Sequence, residues 1–198
     1  GSPARAAHAF RRLHDSGQTF PARFDLFQMI DDYRALLATK STALPEGYME
    51  ALQDAQTVRS ALNAHPRPLV PCHCDPLCEN FLDTGTRMWI VDWEYSGMND
   101  PMWDLGDLSV EAGFDAAQDR ELLEAYFEGE PTAADHARMV AYKAMCDLLW
   151  TLWGLIQHAN GNPADDFLAY ATTRFTRFRR LMQDPSMSAH LAAIRAGG

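Results

Sequence analysis

The residues best able to do chemistry are concentrated in one stretch, PCHCDPLCEN, from Pro71 to Asn80. Two chemistries overlap there. Cys72, His73, Cys74 and Cys78 are metal-ligand types lying close together, while His73-x-Asp75, with Asn80 five residues beyond the aspartate, is an oxygen-bearing pattern. A structural zinc site takes four ligands, normally as two pairs from separate segments whose meeting fixes a tetrahedron. The remaining cysteine, Cys146, sits inside the apolar run AMCDLLWTLWGLI, and no second Cys/His pair has ligand spacing. The cysteines are therefore read as small buried hydrophobes. They are read as free thiols, because Cys72, Cys74 and Cys78 are too close together to staple distant parts of the chain.

The segment that follows, NFLDTGTRMWIVDWEY, has two short apolar runs on either side of Thr84-Gly85-Thr86, a hairpin signal with a turn glycine. With the turn centred near Thr86, Asn80 and Asp92 are equidistant from it. They are expected to face each other across paired strands, with Cβ atoms about 5 Å apart. An amide oxygen and a carboxylate at that separation suit one magnesium ion, a hard cation that takes oxygen ligands alongside phosphate. Asp75 then stands beside the metal without ligating it. The competing reading is an ordinary loop and hairpin in which Asp75 and Asn80 make turn hydrogen bonds.

HCDPLCEN followed by IVDWEY resembles the catalytic loop and metal-binding strand of the protein-kinase-like phosphotransferases, in the small-molecule branch that includes aminoglycoside phosphotransferases and choline/ethanolamine kinases. The resemblance implies that Asp75 is the catalytic aspartate accepting the substrate hydroxyl's proton. It further implies that Asn80 and Asp92 hold Mg2+ on the phosphates of ATP. His73 would order the loop, and Asp104 in NDPMWDLGDL would brace it, a role that can coexist with capping a helix.

The acceptor site is sought in the helical half. Trp150 and Trp153 share a helix face, and with Tyr170 on the next helix they lie 11, 8 and 9 residues from Gly161. At ~1.5 Å per residue the three rings stand at comparable height on antiparallel neighbours. Aromatic faces attract a quaternary ammonium, although rings at such spacing also serve simply as core. Glu111 is seven residues after Asp104, two turns along the same face. VDWEYSGMNDPMWDLGDLSVEAGF, LLWTLWGLIQ and AYATTRF are similar to choline/ethanolamine kinase segments. By that resemblance Trp150, Trp153 and Tyr170 form a choline cage, with Tyr95 and Glu111 also at the pocket.

These groups must be positioned by a chain of 198 residues and 47% hydrophobic content, enough for one core, and residues 1–198 are read as a single domain. Helices are expected at Ala4–His14, from Asp25, from about Pro45 with Met49, Leu52, Ala55 and Leu62 on one face, and over PMWDLGDLSVEAGF. Others are expected after Asp115, from Thr132 to about His158, and from Asn162 as the cap of a final long helix. The hairpin is the only sheet expected. The fold class is α+β, predominantly α-helical: a protein-kinase-like C-terminal lobe with a small β-hairpin carrying the catalytic and metal residues.

A net charge of -10 with only Lys40 and Lys143 as lysines argues against nucleic acid or an anionic membrane as partner and favours a small cation. No run of ~20 apolar residues is apparent, and a soluble, cytoplasmic protein is expected. The glycine-rich strand-loop-strand and strand lysine that grip ATP in kinases are not found in the sequence. The N-terminal nucleotide lobe is therefore expected to be a missing partner from the same polypeptide. The expected activity is phosphotransfer from ATP to choline, with ethanolamine or an aminoglycoside as alternative acceptors and a non-catalytic choline-binding lobe as an alternative of another class.

Overall fold

The computed structural model describes residues 2–197. Helix α1 (Pro3–His14) starts where Ser2 accepts the Arg5 amide, and it buries Ala6, Ala7, Ala9, Phe10 and His14. Helix α2 (Leu26–Ala38) is capped by Asp25 as expected, but Gln28 donates to Asp32 instead of reaching back, so only half of a capping box forms. Helix α3 (Tyr48–Ala64) begins after Gly47, whose φ of 81° stops the helix from extending back to Pro45. Its buried stripe runs Tyr48, Ala51, Leu52, Ala55, Val58 and Leu62, whereas Met49 is 63% exposed. One residue is a 100° step around a helix, which carries Met49 off the face assigned to it.

Two two-stranded antiparallel sheets follow, one more than expected. Strands β2 (Phe81–Asp83) and β3 (Met88–Ile90) are the anticipated hairpin. Strand β1 (Val70–Cys72) pairs with β4 (Gly97–Asn99) in the register Val70↔Asn99 and Cys72↔Gly97. Each is three residues long and β1 contains Pro71, so neither has enough alternation to be read as a strand. This ribbon delivers the chain to the loop that carries Asp75.

Helix α4 (Pro101–Ala112) has Asp100 as its N-cap and Pro101 at its first turn. The other Asp100 oxygen receives Arg138 at 2.6 Å and the Tyr142 hydroxyl at 3.1 Å, which ties α4 to α6 (Ala133–Ala159). Helix α5 (Ala116–Phe127) and α6 both open with complete capping boxes, at Asp115/Gln118 and Thr132/Asp135. Helix α6 is the centre of the core, with Met139, Met145, Leu148, Leu149 and Leu152 fully buried. By length and composition α6 does pass for a membrane span, with a mean hydropathy of 1.2 over 18 residues, contrary to the expectation that no segment would. That window is 83% buried inside the protein, as befits a core helix.

Helix α7 (Phe167–Met182) starts later than expected. Asn162 accepts the Ala164 amide in a local turn, and Asp166 takes the cap by accepting the Ala169 amide. The chain also adds α8 (Met187–Ala196), which buries Met187, Leu191 and Ile194 at helical spacing and was not anticipated.

Helices α4 and α6 meet at Gly106, where an added Cβ would stand 2.9 Å from both the Met139 carbonyl oxygen and the Tyr142 Cβ. Backbone cannot retreat as a flexible side chain can. Gly106→Ala is expected to lower stability by about 1–3 kcal/mol, read as a lower urea midpoint with an unchanged slope.

Candidate active site

The loop leaving β1 turns sharply at Cys74, whose φ of 69° lies in the left-handed region unusual for a non-glycine residue. Asp104 holds that turn in place. Its fully buried carboxylate accepts the His73 amide on Oδ2 and the Cys74 amide on Oδ1, both at 2.8 Å. Trp103 adds a bond from its indole N–H to the Cys74 carbonyl at 3.2 Å. Asp104 is bonded to the loop but is not the helix cap, because Asp100 fills that position. His73 donates Nε2–H to the Val91 carbonyl at 2.8 Å, tying the loop to the end of the hairpin, while its Nδ1 has no partner among the described residues.

The loop then closes over its own backbone. The Asp75 carbonyl accepts the Leu77 amide at 2.9 Å and the Asn80 side-chain amide at 3.0 Å. Asn80 ends a single 3-10 turn, Cys78–Asn80. With its amide nitrogen committed, Asn80 has its Oδ1 left over. The Asp75 carboxylate receives no hydrogen bond from the described residues.

The hairpin register corrects one expectation. The pairs are Phe81↔Ile90, Leu82↔Trp89 and Asp83↔Met88, so the turn is centred between Gly85 and Thr86. Asn80 therefore lies opposite Val91, whose amide donates to the Asn80 carbonyl at 3.0 Å. Asp92 is one residue further on and does not face Asn80. The cause is the turn itself: Gly85 takes φ +83°, and Thr84 Oγ1 accepts the Arg87 amide, closing a two-residue loop. Asp92 adopts φ 63°, a second left-handed residue, and is exposed. Asn80 and Asp92 carry oxygen donors of the kind a hard divalent cation takes, on the two arms of the hairpin beyond its paired residues and not directly opposed.

Cys72 and Cys74 are fully buried, and burial pushes both thiols up. Both thiols bond to Asn99: Cys72 to its carbonyl at 3.6 Å, and Cys74 from its amide at 3.8 Å. Cys78, by contrast, is exposed.

Burial raises Asp75 to about 6, and the neighbouring negative charges of Glu111, Asp92 and Glu94 push the same way against the attraction of His73. Asp75, Asp92 and Glu111 therefore share one electrostatic neighbourhood although they come from three segments. Burial, with Glu94 and Asp75 among the contributors, also lifts the Tyr95 phenol to about 12.

The aromatic residues form a continuous series of edge-to-face rings. Tyr95 meets Trp150 at 5.2 Å, Trp150 meets Trp153 at 6.1 Å, and Trp153 meets Tyr170 at 5.8 Å between centroids. Gly154 permits this closeness, because a Cβ there would lie 2.8 Å from the Tyr170 ring. Glu111 reaches the far end of the series, paired at 2.6 Å with Arg174, whose guanidinium lies 4.6 Å from the Tyr170 ring centroid. Arg174 and Arg177 also neutralise Asp147, fully buried on α6.

Several contributors had no usable sequence signal. Nothing local marks Arg174 as the partner of Glu111 and Asp147, and His14, whose Nε2 lies 3.0 Å from Asp104 Oδ2, is 90 residues away from its partner. Leu82 and Trp89, opposite each other on the hairpin, are 51% and 47% exposed, with the Arg87 guanidinium 3.7 Å from the Trp89 ring centroid.

The model described as the phosphotransferase enzyme family matches residues 3–142, well over half of the chain, and the chain belongs to that family. Within the family its likeness is to the choline and ethanolamine kinases. It is 67% identical to a choline/ethanolamine kinase family protein from Mesorhizobium loti, whose crystal structure superposes with a TM-score of 0.96 over 98% of this chain and 67% of that one. The choline kinase LicA of Streptococcus pneumoniae is 25% identical, with a TM-score of 0.79 over 91% of this chain and 63% of that one. Protein LicA of Haemophilus influenzae is 29% identical over 180 residues, 87% of this chain and 66% of that protein. The chain thus spans about two thirds of the length of these relatives.

Proposed function

We propose that this chain is the catalytic and acceptor-binding lobe of a kinase that moves the γ-phosphoryl group of ATP to the hydroxyl of a small cationic amino alcohol. Choline is the acceptor that the site supports best. The observation that carries the reading is the run Tyr95, Trp150, Trp153 and Tyr170, ending at Glu111, within the electrostatic reach of a carboxylate free to act as base. Ring faces attract an N-methylated ammonium through their quadrupole, each desolvated contact contributing about 2 kcal/mol. A head group held there presents its hydroxyl toward Asp75, which orients it and takes its proton.

In this reading Asn80 Oδ1 and the Asp92 carboxylate would hold Mg2+, which when bound supplies charge neutralisation on the transferring phosphoryl group. His73 and Asp104 keep the loop in its bent form. The exposed Leu82 offers an apolar surface against which a nucleobase would rest. Residues 2–197 hold no glycine-rich loop over the phosphates, so a nucleotide-binding lobe is proposed as the partner of this one.

Ethanolamine is the second reading, favoured by the carboxylates around the cage, since an ammonium with N–H donors is satisfied by oxygens more than by rings. ADP release by the full-length protein, measured with choline, ethanolamine and an aminoglycoside, separates the acceptors. Turnover of the aminoglycoside alone would reject the amino-alcohol proposal. Trp150→Ala is expected to raise the KM for choline roughly 10- to 30-fold, the equivalent of one cation–π contact, with kcat within about 3-fold.

A further inference from the structure

The chain is acidic, with 27 aspartates and glutamates against 17 lysines and arginines, yet one cavity reverses that balance. It measures about 300 Å³ and lies between the start of α2, the end of α3 and the segment leading to β1, with α6 behind it. Arg23, Arg59, Arg67 and Arg138 line it, against only Asp25 and Asp100 as acids. Both acids are already engaged. Asp25 accepts the Gln28 amide, and Asp100 accepts the Met102 amide, Arg138 and the Tyr142 hydroxyl.

The four arginines differ in how far they are committed. Arg138 is 3% exposed and is spent on Asp100 and on the Leu62 and His65 carbonyls, which makes the back wall rigid. Arg67 bonds Asp135 through one nitrogen and has its other donors left over. Arg59 comes no closer than 3.7 Å to Asp31 and lies 5.3 Å from the Phe27 ring centroid. The Arg23 side chain makes no hydrogen bond or ion pair among the described residues. Its backbone is nevertheless fixed, bridged to Met98, and the next amide, that of Phe24, donates to the Met98 carbonyl at 3.2 Å.

We infer that this cavity binds a small organic phosphate: Arg23, Arg59 and Arg67 take the phosphoryl oxygens, while Phe24, Phe27, Leu62 and Leu69 take the apolar body. Guanidinium forks match phosphate oxygens two at a time, in charge-assisted bonds about twice as strong as neutral ones. The three arginines belong to three separate segments, so the fold gathers donors that the sequence keeps apart. A dianionic phosphate monoester offsets more of that charge than a singly charged carboxylate does. The cavity shares no residue with the run from Tyr95 to Glu111, and the inference stands without the phosphotransfer reading. Asn99 lines it as well, and its side-chain amide bonds Cys74 in the loop that carries Asp75, so an occupant would sit directly behind that loop.

Phenyl phosphate is the probe, titrated into the full-length protein without Mg2+ or nucleotide. Saturable binding is expected with a Kd below about 1 mM, accompanied by amide shift changes at Phe24, Leu69 and Asn99. Inorganic phosphate lacks the apolar body and phenol lacks the charge, so each binds about tenfold more weakly or worse. Arg23→Ala and Arg59→Ala each weaken the probe about tenfold or more, the loss of one charge-assisted contact. Arg23 is exposed and the Arg59 side chain is 40% exposed, so neither variant disturbs the core. Failure to saturate below about 10 mM overturns the inference, as does wild-type affinity in either variant. Benzoate binding as tightly as phenyl phosphate overturns the assignment to phosphate.

Discussion

Asp75→Asn is expected to reduce kcat by roughly 10²- to 10⁴-fold, the usual contribution of a positioned general base, while leaving the KM for the acceptor close to wild type. Asparagine has the same shape but cannot take the hydroxyl proton. The pH dependence makes the test sharper. With Asp75 raised to about 6 by burial and its acidic neighbours, the base is protonated and idle below that pH. Wild-type kcat/KM therefore climbs tenfold per pH unit below about 6 and levels above it. That inflection disappears in Asp75→Asn. Undiminished activity in the variant would remove Asp75 from the mechanism.

The same shift has a cost in stability, with a definite sign. The carboxyl titrates at its usual 3.8 in the unfolded chain and near 6 in the folded one, so between those values the folded state binds more protons. The favourable contribution of the neutral form is complete below pH 3.8 and is lost as pH rises through 6. Above pH 6 the wild type carries a desolvated charge that Asp75→Asn lacks. Denaturant titrations at pH 5 and pH 8 are expected to show the variant gaining on wild type at the higher pH. In the proposed mechanism the ionisation that readies Asp75 is the one that costs stability.

Asp104→Ala is expected to destabilise the fold by about 3–5 kcal/mol, the range seen when one partner of a buried charged network is deleted. Three donors lose their acceptor at once: the His73 amide, the Cys74 amide and His14 Nε2. None of them is exposed enough to recover a bond to water. Asp104→Asn does not restore the network, because it turns one acceptor oxygen into an NH2 group facing an N–H donor. Both variants should show a lowered urea midpoint and loss of turnover. A midpoint shift under 1 kcal/mol would mean that the loop is held chiefly by Trp103 and the β1–β4 ribbon.

Local signals carried much of the architecture. The caps at Asp25, Asp115 and Thr132 were each read from a side chain three residues or fewer from the amides it satisfies. The hairpin was read from its turn glycine, and the convergence of Trp153 with Tyr170 from counting helical rise on both sides of Gly161. The failures were also local in kind. Whether a two-residue loop centres on Thr86 or between Gly85 and Thr86 depends on backbone angles that residue types do not encode, and that half-step moves Asn80 from facing Asp92 to facing Val91. At the start of α7 several residues could serve as cap, and Asp166 prevailed over Asn162.

The sequence by itself determined the residue types of the site, the loop and hairpin that carry Asp75, Asn80 and Asp92, and the helical phase that gathers Trp150 and Trp153. Each depends on interactions between residues a few positions apart, whose geometry follows from fixed backbone periods. Only the tertiary structure decided that Asp104 would be bound from α1 by His14, that Arg174 would lie between Glu111 and Tyr170, and that β1 would pair with β4. Those contacts join residues distant in sequence, and their partners were chosen by the packing of α4, α6 and α7 around a common core, where an unsatisfied buried charge would have been too costly to leave.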